Sequence, residues 1–294
     1  MIVHYGREEL CLTSLKSLLD STGVKVLPVI VDNNPAPLTA LEQLVMAAGG
    51  LYLNRPENLG YAAGANLGIR SIREKAPELI TLLNPDVRLA PDCLETLRAY
   101  LEAHREIGVA GPGLLSETKP ETWWNVGSEI VWPEGKPGSL LSGMLCEKGA
   151  LEPRDVLFVC GSVLAFRLEV IEAIGYLPEE YFLYFEDADF CFRARALGLK
   201  AVVVPRALAW HQGGGSSEGL QPLTAYYRAR NRLLFSSAWN PHPFLGSVHR
   251  VAFLLGTSLK ALGRYLSSLD RSELSPTLGT FDYLLGRRGK SSRF

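Results

Sequence analysis

"LITLLNPDVRL", residues 79–89, decides the fold. The apolar run before Asn84 reads as a buried strand. Pro85 ends its ladder by withholding a donor and holds Asn84 in extended geometry. Asn84 and Asp86, two residues apart, then leave the strand pointing the same way, at the carboxyl end where open α/β sheets bind ligands. One carboxylate with neighbouring oxygen donors suits a hard cation that keeps some waters and borrows phosphate oxygens. A plain Asx turn explains the motif equally well.

The same pattern stands one unit earlier, where "VKVLPVIVDNN" (24–34) reads as a strand running into Asp32 and Asn33. Asp32 suits a ribose hydroxyl or a base edge, with a turn as the simpler reading. Ile2-Val3 is the remnant of a first strand, "GGLYLNRP" (49–56) is another, and helical patterns cover 10–20, 38–48, 61–75 and 91–106. Strands alternating with helices imply right-handed βαβ units and a mostly parallel sheet, an α/β fold. Residues 112–155, with eight Gly or Pro before 140 and three Trp, read as loops and antiparallel strands. "DVLFVCGSVLAF" (155–166) and "KAVVVP" (200–205) return to strand, with a helix near 186–198, a flexible loop at 213–219 and a helix over 222–236. This suggests one unit over 1–240, then amphipathic helices and a basic tail over 241–294.

Thirty Lys and Arg against 31 Asp and Glu give a net charge of −1, no general case for nucleic-acid binding. Five scattered cysteines without C-x-x-C spacing read as buried reduced thiols. "MIVHYGREEL" has no signal-peptide core, and no run of 18 residues is apolar enough to span a bilayer. The expected place is the cytoplasm, or the inner face of the membrane.

"ENLGYAAGANLGI" (57–69) sets Gly60, Gly64 and Gly68 on one helix face, for close packing or a ligand's approach. It is not G-x-G-x-x-G, which argues against an NAD-binding oxidoreductase, and "GRRGKSS" (286–292) lacks the first glycine of a P-loop. "YFLYFEDADFCFRARALG" (181–198) places three acids among aromatic neighbours. Glu186 and Asp189 share a helix face at i, i+3, while Asp187 points elsewhere. Acids in a first turn favour the helix dipole, but the flanking aromatics fit a general base in a partly dry crevice. His211 ends "VVVPRALAWH", one helix and one strand later, a spacing that can return it to the same crevice.

In order, "VDNN", "NLGYAAGAN", "LLNPD", the stretch from "CGSVLAF" to "RARALG", "VVVPRALAWHQGG" and "YYRARNRLLF" resemble the family-two glycosyltransferases, nearest their bacterial rhamnosyltransferase-like branch. The resemblance covers residues 1 to about 236. It implies a GT-A fold and transfer of a sugar, with inversion, from a nucleotide-diphospho-sugar donor to a glycan or lipid-linked acceptor, assisted by Mg²⁺ or Mn²⁺. By position, Asp86 would hold the metal and His211 the metal or the diphosphate. Asp187 would be the base, beside Glu186. Asp32 would contact the nucleoside, and Asn33, Asn58, Asn66, Asn84 and Arg228 would complete the donor site, with Asn231 near the diphosphate or acceptor. Asn84 replaces the first acid of the D-x-D motif, and the chain opens "MIVHYG" where the family has a longer first strand. A sugar-nucleotide pyrophosphorylase would need a glycine-rich basic loop that "HYGREEL" does not supply; an inactive binding module would not need every catalytic side chain. "FLGSVHRVAFLLGTSLKALGRYL" (244–266) fits core packing or a homodimer contact by default, or a helix lying on an anionic membrane.

Overall fold

The computed structural model describes residues 1–146, 151–213 and 221–293. Its first half is a run of βα units: β1 (Ile2–His4), α1 (Glu8–Leu19), β2 (Val29–Asp32), α2 (Thr39–Ala47), β3 (Leu51–Asn54), α3 (Tyr61–Ile72) and β4 (Ile80–Leu83). These strands lie side by side in the order β3-β2-β1-β4, all parallel. Then follow β5 (Val87–Leu89), α4 (Cys93–Ala103), β6 (Ile107–Ser116), β7 (Trp123–Asn125), β8 (Ser128–Val131) and β9 (Lys136–Ser139). Next come β10 (Arg154–Val156), β11 (Val163–Phe166), α5 (Leu168–Ile174), α6 (Glu186–Ala196), β12 (Lys200–His211), α7 (Gln221–Trp239), α8 (Pro243–Ser268) and α9 (Ser275–Leu284). Inverted β11 joins β4 to β6, β6 pairs in parallel with β12, and β10 closes that edge. Strands β8 and β9 form a separate hairpin.

Alternation along β1 shows how the sheet is covered. Ile2 faces a core shared with Leu15, Leu41 and Leu97 from α1, α2 and α4, whereas Val3 faces one shared with Ala65, Val170 and Phe190 from α3, α5 and α6. The glycine face of α3 is there for packing. A Cβ on Gly64 would stand 2.8 Å from Val3 Cγ1, and one on Gly68 2.5 Å from the Met1 sulfur.

Three sequence expectations need correcting. Only Val29–Asp32 of 24–34 is strand. Residues 155–166 form two strands, not one, because the chain turns at Cys160–Ser162 to bring the Gly161 backbone against Asp187. Strand β12 does not stop at Pro205: its register shifts between Val204 and Leu208 and it continues to His211. Cys11, Cys93 and Cys191 are buried thiols as expected, but Cys146 and Cys160 are half-buried. Of the 213–219 loop, residues 214–219 lie outside the described residues.

Residues beyond 240 pack against α7. Tyr226 donates its hydroxyl to Asp282 of α9 at 2.7 Å, and Arg230 donates to the Gly289 carbonyl at 2.7 Å. Tyr227 accepts from the Ser291 amide at 2.8 Å. Among the described residues, no helix is long and apolar enough to cross a membrane.

Candidate active site

Antiparallel pairing of β5 with β12 sets His211 opposite Val87, and so beside Asp86. The imidazole Nε2 stands 3.4 Å from Asp86 Oδ1, and both side chains are almost fully buried. Nδ1 accepts the Gly213 amide at 3.1 Å, and the Trp124 ring covers the imidazole with centroids 4.1 Å apart. Two residues 125 apart in sequence thus form one carboxylate–imidazole pair on a cavity wall. That pair can supply two ligands to a divalent ion, with phosphate oxygens and water completing the shell. No group of three His, Cys, Asp or Glu that could hold a metal is found among the described residues.

Across the same cavity, the chain enters α6 through a backbone rarely used outside glycine. Phe182, Tyr184 and Phe185 have φ of 65°, 69° and 77°. Such residues carry strain of about 1–3 kcal/mol each and persist only where their surroundings hold them. Asn231 is the holder. Its amide nitrogen lies 2.9, 2.7 and 3.0 Å from the carbonyls of Tyr181, Leu183 and Tyr184, and its oxygen accepts from Arg230 Nε at 2.9 Å. Asn231, expected near the diphosphate or acceptor, uses its polar atoms to fasten the loop.

The loop delivers three acids to different tasks. Asp189 accepts from Arg193 at 2.9 Å, Tyr181 at 3.1 Å and Trp239 at 2.8 Å, so it is a core fastening. Asp187 opens onto the cavity, where it accepts the Gly161 amide at 2.7 Å and the Ala188 amide at 2.8 Å. Burial raises its pKa, and these backbone donors oppose the rise. Glu186 has no such donors on Oε2, which is buried without a hydrogen-bond partner. Burial first, then the Asp187 charge, push Glu186 up to about 8. Of two adjacent carboxyls, Glu186 keeps the proton near neutral pH and Asp187 is the better proton acceptor.

The main cavity measures about 690 Å³ and its wall includes Asn84, Asp86, Asp187, His211 and Arg228. Arg232, Lys260 and Arg264 also line it, so it can take an anionic ligand. A smaller cavity of about 140 Å³ adjoins it at Asn84, Tyr61 and Tyr184, and holds Asn33 and Asn58 at its rim. Asp32 and Asn66 lie elsewhere. Asp32 is fully buried and accepts from Asn34 and the Tyr52 hydroxyl. Asn66 exchanges bonds with the Leu177 backbone at 2.8 and 3.0 Å and donates to Glu179 at 2.9 Å. Neither lines a cavity described here, which departs from the donor contacts expected of them.

One residue in the smaller cavity carried no assignment in the sequence. His4 ends β1 level with Asp32, and both its ring nitrogens are buried without partners. Burial lowers its pKa despite the nearby Asp32 carboxylate, so the ring is neutral and one nitrogen can donate while the other accepts. Its position at the carboxyl end of the first strand was the available signal.

The profile of "Glycosyltransferase like family 2" matches residues 1–236, and the chain belongs to that family. The hexosyltransferase Agl10 of low-salt glycan biosynthesis in Haloferax volcanii is 30% identical over 66% of this chain, a match spanning only 60% of that protein. The dTDP-rhamnosyl transferase RfbF of Shigella flexneri is 24% identical over 87% of this chain and 84% of its own. An N-acetylglucosaminyl-diphospho-decaprenol L-rhamnosyltransferase of Mycobacterium tuberculosis is 26% identical over 69% and 72%. The fold matches that of the mannosyltransferase PcManGT from Pyrobaculum calidifontis, solved with GDP-Man and Mn²⁺, at TM-score 0.56, 14% identity and coverage of 97% and 86%. GalNAc-T7, solved with UDP, GalNAc and Mn²⁺, gives TM-score 0.58 at 14% identity over 86% of this chain and 53% of that one. The chain is thus a GT-A-type glycosyltransferase.

Proposed function

We propose that this chain transfers a sugar, with inversion, from a nucleoside-diphosphate donor to a hydroxyl of a glycan or lipid-linked acceptor. The observation that carries the proposal is one cavity with the Asp86–His211 pair and Asp187 on its walls. The smaller cavity, at the ends of β1, β2 and β4, is the nucleoside side; the larger takes the diphosphate, sugar and acceptor. Asp187 takes the acceptor proton as the hydroxyl oxygen bonds the anomeric carbon from the face opposite the leaving group. The bond from that carbon to the diphosphate oxygen breaks, and the nucleoside diphosphate leaves with the electron pair. Arg228, whose guanidinium sits 4.7 Å from the Tyr184 ring centroid, faces the same cavity as a cation for the diphosphate. Asp86 and His211 would hold Mg²⁺ or Mn²⁺, which offsets the charge developing on the leaving group. The names of the Shigella and Mycobacterium relatives favour dTDP-rhamnose as donor. The latter's name also favours an acceptor on a polyprenyl diphosphate.

A thermal-shift panel of dTDP, UDP, GDP and CMP, each with Mn²⁺ or chelator, tests this. A ligand at about 100 times its dissociation constant adds roughly 2.7 kcal/mol to the folded state. Stabilisation by dTDP that needs the metal is the expected result. Stabilisation equal in chelator removes the metal site, and a flat panel removes the donor site.

A further inference from the structure

Asn231 fastens the loop that carries Asp187, but the carboxylate itself rests on a different element. The turn at Cys160–Ser162 leads into β11, whose Val163 pairs with Leu83 at the end of β4. Continuing that pairing, the Asn84 amide donates to the Ser162 carbonyl at 2.9 Å. One residue back, Gly161 donates its amide to Asp187 Oδ2 at 2.7 Å. Two adjacent residues of one turn therefore join the strand end that presents Asn84 and Asp86 to the carboxylate on the other side of the cavity.

The fit is close. A Cβ on Gly161 would stand 3.1 Å from both Cβ and Oδ2 of Asp187, so a glycine lets the backbone come this near. Glycine is also the residue whose backbone turns most freely, and alone it would not hold its amide in one direction. Tyr61, at the start of α3, supplies the restraint. Its hydroxyl donates to the Gly161 carbonyl at 3.0 Å, while its amide donates to the Phe182 carbonyl at 2.8 Å. The two peptide planes of Gly161 are thus pinned separately, one by Tyr61 and one by Asp187. Water on the cavity wall can satisfy a half-buried carbonyl, but it does not fix its direction.

We infer that Tyr61 and Gly161 are positioning residues for the proposed base: the turn they pin sets the distance between Asp187 and the metal-holding end of β4. The consequence for turnover rests on the transferase reading, whereas the hold on the carboxylate does not. Burial raises the Asp187 pKa, and the Gly161 amide leads the donors that oppose it, so loosening that amide raises the pKa further. Glu186, Tyr61, Cys160 and Cys191 are the titratable groups coupled to this carboxylate. Of these only Tyr61 is changed in the test, and its phenol is neutral, held well above its ordinary pKa by burial.

Gly161→Ala and Tyr61→Phe, each alone and combined with Asp187→Asn, test the inference. Each single variant should lower kcat by on the order of tenfold and move the acid limb of the rate profile to higher pH. Stabilisation by dTDP with Mn²⁺ should stay at the wild-type level. In the Asp187→Asn background neither substitution should lower kcat further, because the group they position is gone. Urea melts read the same carboxyl without turnover. As pH rises through the carboxylate range each variant should lose more stability than the wild type, since its native state keeps the Asp187 proton longer. A lower melting temperature with the limb and the melt profile unmoved overturns the inference, as does a full further loss of kcat beside Asp187→Asn. If Gly161→Ala does not fold, Tyr61→Phe decides alone. Variants that shift the melt profile of a protein that transfers no sugar would uphold the positioning and remove the transferase reading instead.

Discussion

Glu186→Gln should flatten the pH dependence of stability. In the folded chain burial and the adjacent Asp187 raise the Glu186 pKa from 4.5 to about 8. Between those values the native state holds one proton more than the unfolded state, so stability falls as pH rises, and the loss is complete above about 8. A shift of that size, at about 1.4 kcal/mol per pH unit, amounts to a loss on the order of 5 kcal/mol. Glutamine keeps the shape and cannot ionise. The variant should match the wild type within about 1 kcal/mol near pH 5 and exceed it by several near pH 9. Urea melts at steps of pH measure the difference directly, since every other titrating group is shared. The acid limb of the rate profile, set by Asp187, should stay where it is, because Glu186 is already neutral there. Parallel stability curves from pH 5 to 9 would show that Glu186 ionises as an ordinary carboxylate, and the division of labour within the pair would fall with it.

Two further substitutions separate chemistry from positioning. Asp187→Asn removes the proposed proton acceptor and should lower kcat by about 10²–10⁴-fold with little change in donor KM; near-normal transfer by a folded variant would exclude it as the base. Asn231→Ala takes the side-chain donor from the Leu183 and Tyr184 carbonyls, while Tyr181 keeps the Arg230 guanidinium and the Leu183 amide, and should destabilise the fold by about 2–3 kcal/mol. It should also lower kcat although Asn231 lines neither cavity; a stability loss with unchanged kcat would show that the strained loop needs no such fastening.

Strand ends were the legible part of this sequence. "LLNPD" shows both its buried strand and its polar exit, because a proline and the apolar-to-polar change are local signals. Spacing brought His211 towards the acids of 186–189, whereas its place beside Asp86 followed only from the family resemblance, since that contact depends on the antiparallel run of β5 against β12. The three acids of 186–189 were sorted by the family resemblance and not by their spacing. What makes Asp189 a fastening is Trp239, fifty residues on, and what leaves Asp187 able to accept a proton is the amide of Gly161, twenty-six residues back. The partners of Asn66 were hidden for the same reason. It sits in "NLGYAAGAN" and exchanges hydrogen bonds with the Leu177 backbone, more than a hundred residues on.

The distances over which these partners are drawn explain why the site needs the chain beyond 240. The left-handed residues at 182–185 are held by Asn231, Asn231 is bonded by Arg230, and Arg230 also donates to the Gly289 carbonyl at 2.7 Å. Phe182 stacks on Tyr227 with centroids 4.9 Å apart, and the Tyr227 hydroxyl accepts the Ser291 amide. Each link is a polar group buried with its partner, so removing one leaves another unsatisfied. The "RARNR" segment is thus the junction between two ends of the chain. Arg228 reaches into the cavity, Arg230 and Asn231 grip the loop that presents the acids, and the C-terminal tail closes over their other side. A strained entry to α6 is affordable because it is held from both directions. The same grip fixes where Asp187 stands relative to Asp86 and His211, the one geometry the proposed transfer requires.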